Sequence, residues 1–139
     1  MAKYVRDLMT PKPVTLSAAS NLVDAAIAMR DFDVGAVIVV DNGQLYGIAT
    51  DRDIVVRAIA NGNYPATTQL AEVCSRELTT LSPSDSVSEA VRLMRDRAIR
   101  RLLVVENGQP VGIVSMGDLA SEQEPDSPLA DISGAPPNR

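Results

Sequence analysis

Asn42-Gly43-Gln44-Leu45-Tyr46-Gly47-Ile48-Ala49-Thr50-Asp51-Arg52-Asp53 returns sixty-five residues later as Asn107-Gly108-Gln109-Pro110-Val111-Gly112-Ile113-Val114-Ser115-Met116-Gly117-Asp118. Both copies run from Asn-Gly-Gln through Gly-Ile and a small apolar residue to a hydroxyl residue, two variable positions and an aspartate. Laying residues 7–54 over 72–119 at this constant offset needs no gap and matches 15 of 48 positions, where average composition gives on the order of 3. Asp24 with Glu89, Asp41 with Glu106 and Thr50 with Ser115 keep their chemistry. The chain is therefore two copies of one supersecondary unit.

Working outward, each Asn-Gly pair suits the positive φ values of a tight hairpin turn. The runs before the turns, residues 36–40 and 102–105, are aliphatic throughout and suit strands buried on both faces. The return strands end at Thr50 and Ser115, and a helix leaves each. The first of these is expected over 51–60, stopped by Asn61-Gly62. Its counterpart is poorer, with only Leu119 and Ala120 as apolar residues before an acidic, Pro- and Ser-rich stretch expected to be disordered. Upstream of each hairpin lies a helix whose start is marked by Asn21 with Asp24, or Ser86 with Glu89. Its apolar face is Leu22, Ala25, Ala26 and Met29 in one copy and Val87, Ala90, Val91 and Met94 in the other. Before it come a short extended piece (14–16 or 79–81) and a short helical lead (from Tyr4 to Met9, or 70–74). The expected fold class is α/β (α+β), divided into repeats 1–66 and 67–121 with a tail 122–139.

The 139 residues include one cysteine and no histidine. An intrachain disulfide is impossible, and a reducing cytoplasm fits. Charged residues appear at once (Lys3, Arg6, Asp7), and no run approaches the ~20 apolar residues of a membrane span. A soluble, cytoplasmic protein is expected. The net charge of −5 disfavours wholesale binding to nucleic acid or anionic membrane, and a 3% aromatic content leaves little for base stacking. No nucleophile with a base partner, metal-ligand cluster or P-loop is visible, so no enzymatic activity is expected.

Several residues invite a closer reading. Thr50 with Asp53, and Ser115 with Asp118, have capping-box spacing at an expected helix start. They can serve as caps, as ligand-binding groups, or as both, because a carboxylate accepts two hydrogen bonds from a cis-diol and a helix start offers amides to an anion. Five of the 13 basic residues lie between Arg92 and Arg101. Arg92 and Asp96 are spaced for intrahelical pairing, whereas Arg100 and Arg101 lie beyond that helix and suit phosphate. Cys74 aligns with Met9 and reads as a small core residue.

The element order, present twice, with Gly-x-x-Thr-x-x-Asp at the junction to the last helix, resembles the cystathionine β-synthase (CBS) domain family, as a stand-alone tandem pair or Bateman module. The stretch Gly47-Ile48-Ala49-Thr50-Asp51-Arg52-Asp53-Ile54 is the closer match, and the resemblance covers about residues 4–121. It implies β-α-β-β-α units related by a pseudo-twofold, with clefts that hold adenine nucleotides. By the same resemblance, Asp53 and Asp118 bind ribose while Thr50 and Ser115 lie near phosphate. Thr15, Leu16, Gly35 and Ala36 in one copy, and Thr80, Leu81, Arg101 and Leu102 in the other, line the base, and Arg100 and Arg101 reach phosphate. Ile38 and Leu103 stand where many members have proline. The expected function is a non-enzymatic regulatory module that binds AMP, ADP or ATP as ligand, requires no cofactor, forms a homodimer and acts on an unknown protein target. The alternatives are an interaction dimer with no nucleotide, working through the helix from Ile54 to Ile59, and a sensor of S-adenosylmethionine or another adenosyl ligand.

Overall fold

The computed structural model describes residues 2–123; the expected tail falls almost wholly outside them. In chain order the elements are a 3₁₀ turn (Val5–Asp7), β1 (Thr10–Pro11), β2 (Thr15–Ser17), α1 (Leu22–Phe32), β3 (Ala36–Asp41), β4 (Gln44–Thr50) and α2 (Asp51–Asp53). A π-helical stretch (Ile54–Ile59) continues α2, and α3 (Leu70–Val73), β5 (Thr80–Leu81), α4 (Val87–Arg97), β6 (Arg101–Glu106), β7 (Gln109–Ser115) and α5 (Met116–Gln123) follow. The α/β class and the repeated order agree with the sequence reading.

The hairpins form for the expected reason. Asn42 and Gly43 have φ of 51° and 77°, and Asn107 and Gly108 have 53° and 77°, the pair of positive values that lets a two-residue turn match strand twist. In each copy the central strand is parallel to the short strand before it and antiparallel to the one after it, so both sheets are mixed. The helices start on Asn21 and Ser86, whose side chains accept the amides of Asp24 and Glu89. They end on left-handed Asp33 and Ala98.

Pro13–Leu78 forms one compact unit; Met1–Lys12 and the chain from Thr79 onward form the other. Each lead segment thus packs on the unit built around the opposite repeat. Leu70, Val73 and Cys74 join the first unit's core with Leu22, Ala25, Met29, Val37 and Val39. Val5 joins the second unit's core with Val87, Ala90, Met94, Leu102 and Val104, and Leu8 and Met9 pack against it. The pairing repeats as well: Thr10 pairs with Ile113 in β1–β7, and Ser75 bridges Ile48 in the first unit. The repeat boundary near residue 66 and the boundaries of packing are different things.

Three local expectations change. The lead from Tyr4 to Met9 is helical only over Val5–Asp7, because Thr10 and Pro11 are drawn into the sheet edge. The helix after Thr50 is α-helical for one turn and then π-helical, with the Ala60 amide donating to the Val55 carbonyl at 2.9 Å. It still stops where expected: Gly62, at φ 77°, donates to Ile59, and Asn63 donates to Ala58, a Schellman ending. Ala26, expected on the apolar face of α1, is exposed.

Candidate functional site

Strand alternation sorts the candidate residues. Val37, Val39 and Ala49 point to the first unit's helix-covered core, so Ala36 and Ile38 lie on the opposite face of that sheet. Ala36 pairs with Thr50, and Ile38 pairs with Thr15 on one side and Ile48 on the other. Thr15, Ala36 and Thr50 are therefore brought to one face, with Gly35 just before it. The second unit repeats this: Arg101 pairs with Ser115, and Leu103 with Thr80 and Ile113. Leu102, Leu16 and Leu81 fall on the core faces; Leu102 is fully buried, so only its main chain is available to a ligand.

At the strand ends the two polar pairs have matching geometry. The Thr50 amide donates to Asp53 Oδ2 at 2.9 Å, and the Asp53 amide to Thr50 Oγ1 at 3.1 Å. The Ser115 amide donates to Asp118 Oδ2 at 2.8 Å, and the Asp118 amide to Ser115 Oγ at 3.1 Å. These are reciprocal capping boxes with Asp in the usual Glu position. In both, the second carboxylate oxygen, Oδ1, is left out of the box.

The surroundings of the two aspartates differ. Arg57 Nε lies 3.8 Å from Asp53 Oδ1, and its guanidinium also donates to the Val73 carbonyl. Arg57 was missed in the sequence, although its i,i+4 spacing from Asp53 is a readable signal. The position equivalent to Arg57 is Glu122, and among the described residues Asp118 forms no ion pair.

The helix amides correct one expectation. In the first unit they are occupied: Asp51 donates to the Gly35 carbonyl, Arg52 to Asp51 Oδ1 and Asp53 to Thr50. No amide there is left for an anion. In the second unit Met116 donates to the Arg100 carbonyl and Asp118 to Ser115. Gly117 between them has no partner among the described residues, and with no side chain it leaves its amide approachable.

Charge is also unequal. Arg97, Arg100 and Arg101 form no ion pair among the described residues; Arg97 donates to Thr79 Oγ1 at 3.4 Å, and Arg100 and Arg101 are exposed. Arg92 instead chelates Glu89 and reaches Asp96, as helical spacing suggests. The hydrogen bond from Arg92 holds the Glu89 carboxyl below its usual range, and that carboxylate in turn raises Arg92. Burial pushes the Cys74 thiol up, against the opposing pull of Arg76. Cys74 is 6% exposed and sits in the core cluster, as expected of a packing residue.

The CBS domain model matches residues 5–59 and again 70–124. The chain belongs to the CBS domain family, as a tandem pair. CBS domain-containing protein YhcV of Bacillus subtilis is 42% identical over 119 residues, covering 86% of this chain and 84% of the relative. Hypoxic response protein 1 of Mycobacterium tuberculosis is 33% identical over 116 residues, covering 83% and 81%. A crystal structure of Hypoxic Response Protein I with two coordinated zinc ions has a TM-score of 0.74 at 30% identity, covering 84% of this chain and 96% of that one. A hexameric CBS-CP12 protein from bloom-forming cyanobacteria has a TM-score of 0.78 at 25% identity, covering 95% and 76%.

The zinc of that neighbour does not fit this chain, which has no histidine and a single, buried cysteine. Among the described residues no group of three His, Cys, Asp or Glu is placed to hold a metal. Nor is any described helix long and apolar enough to cross a membrane. The tandem CBS pair is a regulatory module, and its polar pairs here have the geometry of hydrogen-bonding groups.

Proposed function

We propose that this protein is a non-enzymatic sensor of adenine nucleotides. Asp53 and Asp118 accept hydrogen bonds from the ribose hydroxyls, with Thr50 and Ser115 beside the phosphates. The observation that carries this reading is the twice-built carboxylate–hydroxyl pair: one aspartate oxygen is fixed by a strand-end amide and the other is left for a diol. The second unit adds Arg100, Arg101 and the open Gly117 amide, so it takes the phosphate-rich part of the ligand more readily. At the first unit Arg57 competes for the Asp53 oxygen. Self-association goes with this reading. Val55, Val56 and Ile59 are 58%, 45% and 49% exposed on the π-helical stretch, more apolar surface than one isolated helix usually leaves uncovered.

Isothermal titration with AMP, ADP, ATP and S-adenosylmethionine tests the proposal. Asp118→Asn is expected to weaken ATP at least tenfold, and Arg100→Glu with Arg101→Glu to weaken ATP more than AMP. An adenosyl cation would instead be spared by the arginine reversal. If no ligand binds at millimolar concentration while the protein is folded, an interaction module without nucleotide is the better reading.

A further inference from the structure

The first unit has to meet an anion by means other than those of the second. Its strand entry carries Gly35 and Ala36 where the second has Arg100 and Arg101, and the amides of Asp51, Arg52 and Asp53 are all occupied within the fold. The cation that the fold does set beside Asp53 is Arg57. Its Nε lies 3.8 Å from Asp53 Oδ1, too far for a hydrogen bond and near enough for attraction. Its Nη1 donates to the Val73 carbonyl at 3.3 Å, which anchors the guanidinium on α3. The Asp53 side chain is only 16% exposed, against 53% for Arg57. The carboxylate therefore depends on its neighbours to compensate its charge, while the guanidinium keeps an open side. Arg57 sits on the π-helical stretch, a winding that recurs at functional sites.

We infer that Arg57 sets the ligand specificity of the first unit, favouring a ribonucleoside that carries an anionic group, in class a nucleoside 5′-monophosphate, over the uncharged nucleoside. This rests on the proposed function and gives Arg57 a part in it beyond competition for the Asp53 oxygen. A cis-diol that takes Asp53 Oδ1 displaces Arg57 from its counter-ion. An uncharged nucleoside offers the guanidinium nothing in return, and an adenosyl cation repels it. A 5′-phosphate replaces the lost partner, and Nε with Nη2, the edge that Val73 does not hold, can meet it in the two-pronged manner of arginine. Discrimination then comes as much from the charge left unpaired by the wrong ligand as from contact with the right one. The second unit lacks this device, because Glu122 stands at the equivalent position.

The test is isothermal titration of the full chain with AMP and with adenosine, in an Asp118→Asn background that leaves the first unit as the working site. Arg57→Gln is expected to tighten adenosine and weaken AMP, so that the preference for AMP falls at least tenfold. Arg57→Lys should restore part of that preference, and Arg52→Gln, which removes a neighbouring arginine, should leave it unchanged. A merely structural role for Arg57 moves both ligands together and leaves their ratio alone; that result would overturn the inference, as would an equal fall with Arg52→Gln. Melting temperatures without ligand show that each variant is folded. If neither ligand binds any folded variant, the proposed function falls and the inference with it, whereas binding with an unchanged ratio sinks the inference alone.

Discussion

At the residue scale, each of the two aspartates is a helix cap and, under the proposed function, also a ligand group, and substitution can part the two roles. Asp53→Asn keeps an oxygen that can accept the Thr50 amide but loses the charge that faces Arg57 and that the proposed function assigns to a ribose diol. It is expected to leave the melting temperature of the unliganded protein nearly unchanged while weakening nucleotide binding at the first unit alone. Asp53→Ala removes the reciprocal cap as well, costing about 0.5–2 kcal/mol in denaturant unfolding. The repeat glycines separate in the same way. A Cβ at Gly47 would sit 2.5 Å from the Ser75 main-chain oxygen, whereas at Gly112 it meets the flexible Met9 side chain. Gly47→Ala should therefore cost roughly 1–3 kcal/mol as overpacking, with Gly112→Ala the milder change; equal losses in urea melts would count against this packing. Cys74, buried and with its thiol pushed up, should react with a thiol reagent only as fast as the protein opens.

At the scale of elements, the sequence was legible wherever a local rule decides. Asn-Gly set the hairpins, Asn21 and Ser86 set the helix starts, and the aliphatic runs set the central strands. It was not legible where a distant contact decides. Nothing local to Thr10-Pro11 says that these residues pair with β7, and nothing in residues 54–59 marks a π-helical winding. The polar pairs were readable because a repeat exposes them; the occupied amides at Asp51–Asp53 were not, since Gly35 reaches them only through the fold. The exchanged leads have a direct consequence. A fragment of residues 1–66 lacks Leu70 and Val73, which are 0% and 1% exposed, and should not fold cooperatively, whereas 13–78 retains its whole core. In the full chain Leu70→Ala should cost about 2–5 kcal/mol, read by urea unfolding. On α4, the depressed Glu89 carboxyl makes its pairing with Arg92 stabilising above the ordinary carboxylate range. That contribution fades as pH falls through Glu89's lowered pKa. Glu89→Gln should thus lower the melting temperature slightly at neutral pH and not in acid, and by little even at its largest, since the pair is at the surface.

At the scale of the molecule, a regulatory module must couple ligand to some change of state, and a ligand shifts an equilibrium only by its differential affinity for the two states. The two units are unequal in the features that matter: Arg57 lies beside Asp53, while Asp118 has no ion-pair partner among the described residues and caps on Ser115, the strand partner of the exposed Arg101. If the proposed function holds, sequential rather than equivalent occupancy is expected, with the second unit filling first. The most direct measurement is a thermal-shift series of the full chain and its Asp53→Asn and Asp118→Asn variants with AMP and ATP. Ligand at one hundred times its dissociation constant stabilises by about 2.7 kcal/mol, on the order of 5 °C for a chain of this size. The account predicts such a rise with ATP, lost in Asp118→Asn and largely kept in Asp53→Asn. A folded protein whose melting temperature no adenine nucleotide moves, at millimolar concentration, would contradict it.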